Sequence, residues 1–304
     1  MSKPTSFRPL RGLRVLSLGL NLPAPVALQR CRELGARVAK LEPPQGDPVA
    51  WIAPALYREL HQGVRVQQLD LKTAAGARRL EQALDRCDVL LTSFRPSALR
   101  RLGLGWRSLH PRWPQLWQVA IVGASGAGAE DAGHDLTYQT EQGLLPAGTA
   151  LPTTLLADMG GAQAAVAAVL QAALGRAQGL PARRLEVGLA DAANDLARPL
   201  RWGLTHPGGL LGGGHALYRV LPCRDGRVAL AALEPHFAAR VAALAGIEAG
   251  SATFWLKPAA HQAVSAWVAA HSCAELATLA REHDLPLVVC PDAPGAPCGD
   301  ARAP

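Results

Sequence analysis

LRVLSLGLNLPAPVALQRCRELGARVAKLEPP, residues 13–44, decides the fold. Its opening LRVLSLGL (13–20) is an unbroken apolar run of strand length, the pattern of a strand covered on both faces. PVALQRCRELGA (25–36) has apolar residues at helical spacing and closes on Gly35, the residue type best suited to the left-handed turn after a helix. RVAKLE (37–42) reads as a second strand, stopped by Pro43-Pro44, which cannot extend a ladder. A strand, a helix and a second strand in so short a span predict a parallel pair with a right-handed crossover.

The same alternation continues outward. VQQLDL (66–71) precedes a helix over AGARRLEQALDRC (75–87), and DVLLTSF (88–94) and LWQVAIVG (116–123) read as further strands. The chain up to residue 196 is therefore expected to form an α/β domain, a doubly wound, mostly parallel, Rossmann-like sheet. No G-x-G-x-x-G follows the first strand, which argues against an NAD-dependent dehydrogenase. After the glycine-rich ASGAGAEDAG (124–133), Asp158 opens an alanine-rich helix, GGAQAAVAAVLQAALGRA (160–177), and QGLPARRLEVGLADAANDLA supplies a turn, a short strand and a helix. Residues 197–215, with HPGGLLGGG (206–214) inside them, read as a Gly/Pro-rich linker. A smaller α+β domain is expected over 216–290: a hairpin turning at Asp225-Gly226, then helical stretches 235–246 and 259–283. Residues 291–304 are expected to form an irregular tail.

Hydrophobic residues make up 49% of the 304 and charged residues 18%, a globular composition. No apolar run reaches the roughly eighteen residues of a membrane span, and the N-terminus lacks a signal-peptide core, so a cytoplasmic location is expected, with no membrane contact. The six cysteines are scattered without a C-x-x-C pair, which predicts reduced thiols and no metal site. The net charge of +7 rests on 27 arginines and four lysines spread along the chain. No basic run interleaved with aromatics appears, so nucleic acid is not an expected partner. A polyanionic small molecule, such as a nucleotide-bearing cofactor, would use this charge more economically.

Three segments carry ionisable residues beside small or turn-forming ones: GHDLTY around His134, LLADMGG around Asp158 and ALEPHF around Glu234. An imidazole and two carboxylates suffice for proton transfer next to a carbonyl or for carboxylate attack on a thioester. Asp158 is placed at a helix N-terminus, whose dipole favours negative charge, and Gly160 and Gly161 would let a substrate approach the backbone. A plain helix cap is the competing reading for Asp158, a solvated loop histidine for His134 and a solvated turn residue for Glu234. Asp135 is read either as orienting the imidazole or as a cap.

These motifs together resemble the family III CoA-transferase group, which includes CoA transferases of the carnitine and formate/oxalate type and α-methylacyl-CoA racemases. The likeness runs from LRGLRVLSLGLNLPAP and ELGARVAKLEPPQGDP through LDLKTAAGARRL and DVLLTSFRPSALRRLGLGW to GHDLTYQTEQGLL, LADMGG and LEVGLADAA. It implies acyl-CoA or CoA as substrate, no permanently bound cofactor and an interlocked homodimer. Arg65, Arg95, Gly133, Tyr138, Gly160 and Gly161 are then expected to contact CoA. In the transferases the matching aspartate is a nucleophile that forms aspartyl-CoA; in the racemases it pairs with the histidine as two bases, and the glutamate supports that histidine. With His134, Asp158 and Glu234 all present, the resemblance favours a 2-methylacyl-CoA racemase working through an enolate. A CoA transferase acting through Asp158 is the alternative, and a catalytically impaired CoA-binding homologue the third reading. The sequence departs from the group in a short span between His134 and Asp158 and in little of the usual G-K-R context over 51–68. From the resemblance, the group's segment that returns to the large domain is not expected within residues 291–304.

Overall fold

The first strand is β1 (Arg14–Ser17), and the helix Pro23–Glu33 leads to β2 (Arg37–Glu42), parallel to it with Arg14 opposite Arg37 and Ser17 opposite Lys40. These assignments come from a computed structural model that describes residues 7–146, 148–248 and 251–290. The N-terminal unit runs to Ala197. It holds one parallel six-stranded sheet, adding β3 (Arg65–Gln68), β4 (Val89–Thr92), β5 (Trp117–Val122) and β6 (Arg184–Gly188) in the order β3-β2-β1-β4-β5-β6. The strand order reverses between β1 and β4, so a crevice is expected at the C-terminal ends of these strands. The doubly wound α/β fold is the one expected from residues 13–44.

Both faces of the sheet are covered, and this is why its strands read as apolar runs. On one face Val15, Val89, Leu91, Val119 and Ile121 pack with Leu28 and Cys31 and with Ala165, Val169 and Ala172 of the helix Leu156–Ala177. On the other, Leu16, Leu41 and Leu90 meet Leu80 and Leu84 of the helix Ala74–Leu84. Small residues let the long helix lie close to its neighbours. A Cβ on Gly175 would come within 2.7 Å of the Trp117 ring, and one on Gly161 within 2.3 Å of Leu189.

RVAKLE holds a buried ion cluster. Lys40 is fully buried, with its ammonium 2.5 Å from Asp47, 3.0 Å from Glu42 and 2.9 Å from His61 Nε2. The His61 Nδ1–H faces the Tyr57 carbonyl at 2.7 Å, which leaves Nε2 as the acceptor for Lys40. Burial, together with the Lys40 charge, holds the imidazole below its ordinary pKa of 6.5 and so neutral. Asp47 Oδ1 also accepts the Asn21 N–H at 3.2 Å and the Val49 N–H at 3.0 Å. The buried ion cluster thereby fixes the turn after β1, where Asn21 takes a left-handed φ of 66°.

The second unit begins at Arg198. Its antiparallel strands β7 (Tyr218–Cys223), β8 (Gly226–Ala231) and β9 (Leu287–Val289) form a sheet in that order. Helices Pro235–Ala245, Pro258–Ala269 and Cys273–Glu282 cover it around Leu217, Val228, Val241, Val264 and Leu276. Three expectations change here. The hairpin turns at Arg224-Asp225, because Cys223 and Gly226 are already paired. The single helical stretch 259–283 is two helices, interrupted by Ser272, whose hydroxyl accepts the Glu275 N–H while the Glu275 carboxylate accepts the Ser272 N–H. Leu287–Val289, which had no assignment from sequence, completes the sheet. Within 197–215 the chain forms the short helix Arg198–Arg201 and a turn over Leu210–Gly214. The tail expected over 291–304 lies outside the described residues.

Candidate active site

β5 ends at Val122, next to β4 and one strand beyond the strand-order reversal, and the chain then runs through residues 123–133 to His134. His134 stands at the N-cap of the helix Asp135–Glu141 and is exposed, with its N–H donated to Thr137 Oγ1 at 3.1 Å. The Leu156–Ala177 helix starts one turn earlier than its glycines suggested. Its N-cap is Leu155, which has no side chain to bond the first amides. Asp158 is the third helical residue and is not the cap.

The capping is done from outside the helix by Asp135. This side chain is 5% exposed; one oxygen accepts the Asp158 N–H at 3.0 Å and the other accepts Gln139 Nε2 at 2.5 Å. Gln139, itself fully buried, also donates to the Thr154 carbonyl at 3.1 Å. Asp135 therefore does not orient the His134 ring; it joins the two helix starts and puts a fixed negative charge beside Asp158. Asp135→Ala should remove this cap and leave one Gln139 N–H without its acceptor, costing about 2–3 kcal/mol, to be read from chemical denaturation of the full chain. An unchanged midpoint would mean that the helix start is held by something else.

Asp158 is half-buried, and no described protein donor bonds its carboxylate. Burial raises its pKa from an ordinary 3.8 to about 6, the Asp135 charge pushes the same way, and the His134 imidazole opposes both. The two neighbouring acids thus differ in kind. Asp135 is bonded through both oxygens, whereas no described donor bonds either oxygen of Asp158.

Tyr138 is buried with its ring against Gly133, where an added Cβ would lie 2.4 Å from the ring, and its hydroxyl against Gly123 at the end of β5. Burial raises the phenol pKa, and the largest charge acting on it is that of Asp158, while Arg95 opposes. Arg95 is exposed at the N-cap of Pro96–Arg101, just past the C-terminal end of β4. His134, Asp158, Tyr138 and Arg95 are therefore gathered at the crevice end of β4 and β5.

The other expected residues have different surroundings. Gly160 and Gly161 face the helix Leu189–Leu196, with added Cβ atoms at 3.1 Å from Leu196 and 2.3 Å from Leu189. They serve helix packing rather than substrate approach, since a second helix already occupies the space. Gly133 makes room for Tyr138. Arg65 opens the edge strand β3, four strand spacings from β5, or about 19 Å at ordinary sheet spacing. Glu234 is exposed in the second unit, at the N-cap of Pro235–Ala245 without a side-chain capping bond. Sequence reading missed Gln139 and the Lys40–Asp47 cluster; a lysine inside an otherwise apolar buried strand, two residues from a glutamate, was the available signal for the second.

A family model described as CoA-transferase family III matches residues 10–296. "Succinyl-CoA--D-citramalate CoA-transferase" of Chloroflexus aurantiacus is 33% identical over 136 residues, 42% of this chain and 34% of that protein. "Probable fatty acyl-CoA transferase Rv3272" of Mycobacterium tuberculosis is 32% identical over 163 residues, 49% of this chain and 41% of that one. The chain thus spans well under two thirds of the length of the curated relatives it matches. Among solved structures, a CAIB/BAIF family protein from Brucella suis superposes with a TM-score of 0.75 at 25% identity, covering 95% of this chain and 85% of that one. A hypothetical protein (Rv3272) from Mycobacterium tuberculosis superposes at 0.80 and 24% identity, over 94% and 86%.

Proposed function

This chain belongs to CoA-transferase family III, and from that premise we propose that it moves coenzyme A between carboxylic acids with Asp158 as nucleophile. The observation that carries the reading is the uncommitted, half-buried Asp158 carboxylate beside a fully bonded Asp135. The Asp158 oxygen attacks the thioester carbonyl of the donor, expelling CoA thiolate and leaving an acyl–aspartyl anhydride. The thiolate attacks the aspartyl carbonyl, so the donor acid departs as a carboxylate and Asp158 carries CoA as a thioester. An acceptor carboxylate then repeats both steps in reverse order, regenerating Asp158. Covalent catalysis of this kind divides one difficult exchange into easier ones. A pKa near 6 suits the role, since the group is ionised at neutral pH yet poorly solvated and so more nucleophilic than a surface carboxylate.

His134 lies close enough to bias the Asp158 charge, and in this reading it holds a substrate oxygen and keeps the nucleophile ionised. Arg95 offers a guanidinium for a CoA phosphate at the crevice mouth. The racemase reading favoured from sequence is displaced in rank, because the relatives named above are transferases. The homodimer implied by the resemblance is part of this proposal.

The test incubates the protein with succinyl-CoA and an acceptor acid in D2O. Transfer of CoA, no deuterium at the acyl Cα, and a CoA adduct on the Asp158 peptide after acid quench are expected; His134→Ala should slow transfer while still forming the adduct. Deuterium entering Cα without any acceptor would restore the racemase. The pH dependence of kcat/KM should show an acidic limb with an apparent pKa of about 6, activity falling as Asp158 protonates. A limb near 4 would mean that a different carboxylate reacts.

A further inference from the structure

The N-terminal unit carries a second feature that the proposed transfer chemistry does not use. In a doubly wound sheet the residues that face the helices are ordinarily apolar. On one face of this sheet three neighbouring strands break that rule. Arg14 opens β1, Arg37 opens β2 directly opposite it, and Arg65 opens β3 beside Ala39. The helix Ala74–Leu84 and the turn after it add Arg79, Gln82, Ala83 and Arg86, at the i, i+3, i+4, i+7 spacing of a single helix stripe. Together they line one groove of about 750 Å³ whose floor includes Leu16, Ala39 and Leu41. A volume of that order accommodates a nucleotide-sized ligand.

The charges in this groove are not balanced internally. Its lining includes arginines and the buried Lys40 but no carboxylate. Arg14 is held by Asp88 at 2.8 Å and Lys40 by Asp47 and Glu42. Arg37, Arg65, Arg79 and Arg86 are exposed, and none makes an ion pair with a described residue. Like charges placed opposite one another on adjacent strands oppose folding, so their gathering calls for a counter-charge from outside. Guanidinium forks match phosphate oxygens two at a time, and the apolar floor can lie against a sugar or base.

We propose that this groove binds an organic polyphosphate of nucleotide size, at a site separate from the Asp158 crevice. It lies toward β3, the edge of the sheet farthest from β6, on the face of the helix Ala74–Leu84, and at the strand starts; the candidate active site follows the ends of β4 and β5. The proposal does not depend on the transfer reaction. The occupant it fits is a free nucleoside triphosphate, its phosphates on Arg37, Arg65, Arg79 and Arg86 and its base against the apolar floor.

The experiment measures binding of ATP and of CoA to the full chain by calorimetry at about 50 mM and about 500 mM salt. Arg37→Glu/Arg79→Glu and, as a milder pair, Arg37→Gln/Arg79→Gln are measured alongside. The wild type should bind ATP saturably, with affinity falling at least tenfold in high salt. The glutamate pair should lose at least tenfold in affinity and the glutamine pair an intermediate amount. Without ligand both pairs should melt no lower than the wild type, since repulsion has been relieved. Weakened ATP binding with an unchanged acyl-CoA KM supports the site; a raised acyl-CoA KM with an unchanged kcat would mean that the groove belongs to the CoA substrate site and would overturn a separate one. ATP binding that is equal in all three proteins, or the absence of saturable ATP binding at low salt, would overturn the site.

Discussion

Asp158→Asn is expected to abolish CoA transfer, lowering kcat by at least about 10³-fold, and at the same time to raise the melting temperature at pH 7.5. The first effect follows from removing the only atoms that can form the aspartyl-CoA bond, since an amide is a poor nucleophile. The second follows from the raised pKa. With a folded-state pKa of about 6 against an ordinary 3.8, the folded protein holds the Asp158 proton more tightly than the unfolded chain does. Stability from this group is therefore greatest below pH 3.8, falls between pH 3.8 and 6, and stays reduced above. Asparagine keeps the shape without the buried charge or its repulsion from Asp135, so the gain should be present at pH 7.5 and vanish near pH 4. Thermal melts of both proteins across this range, with transfer assays at pH 7.5, check both halves. A variant that is inactive and less stable at every pH would mean that Asp158 is a structural anchor and not the nucleophile.

Lys40→Met should give the largest loss of stability. It leaves Asp47 and Glu42, both buried, without the ammonium that lies between them. Breaking a buried ion cluster by deleting one partner costs about 3–5 kcal/mol, because the remaining charges stay desolvated. For a chain of this size that is a fall of roughly 10 °C in Tm. The triple change Lys40→Met/Glu42→Gln/Asp47→Asn should recover much of the loss, since no charge is left unpaired. A cluster that only fills space would show the same loss with or without the two amides. Transfer activity should fall in the single variant beyond what unfolding explains. Asp47 holds the Asn21 amide, and hence the turn after β1 that borders the crevice.

How much of this was legible in the sequence follows from what each signal depends on. Strand and helix periodicity is local, so residues 13–44 predicted the parallel sheet and its crossover correctly. Apolar runs such as VLLT of β4 read as buried because neighbours cover both faces. The break at Ser272 was also local, written as S-C-A-E, yet it was overlooked inside a longer apolar pattern. The short β9 gave no comparable signal: three residues gain their identity as a strand only by pairing with β8.

Site residues divide along the same line. The sequence by itself placed His134, Asp158, Tyr138 and Arg95 in motifs that resemble one family, and it marked Asp158 as a helix-start carboxylate. It could not say which of two neighbouring acids is chemically free. Asp135 and Asp158 look equivalent on paper, and only packing of one helix start against the other bonds Asp135 through both oxygens and leaves Asp158 open with a pKa near 6. Packing likewise turned Gly160 and Gly161 into helix contacts and carried Arg65 to the far edge of the sheet among other arginines. Fold class follows from patterns along the chain, because hydrogen-bond geometry repeats with fixed periods. Reactivity depends on desolvation and on charges brought close from distant positions, and those are properties of the folded molecule alone.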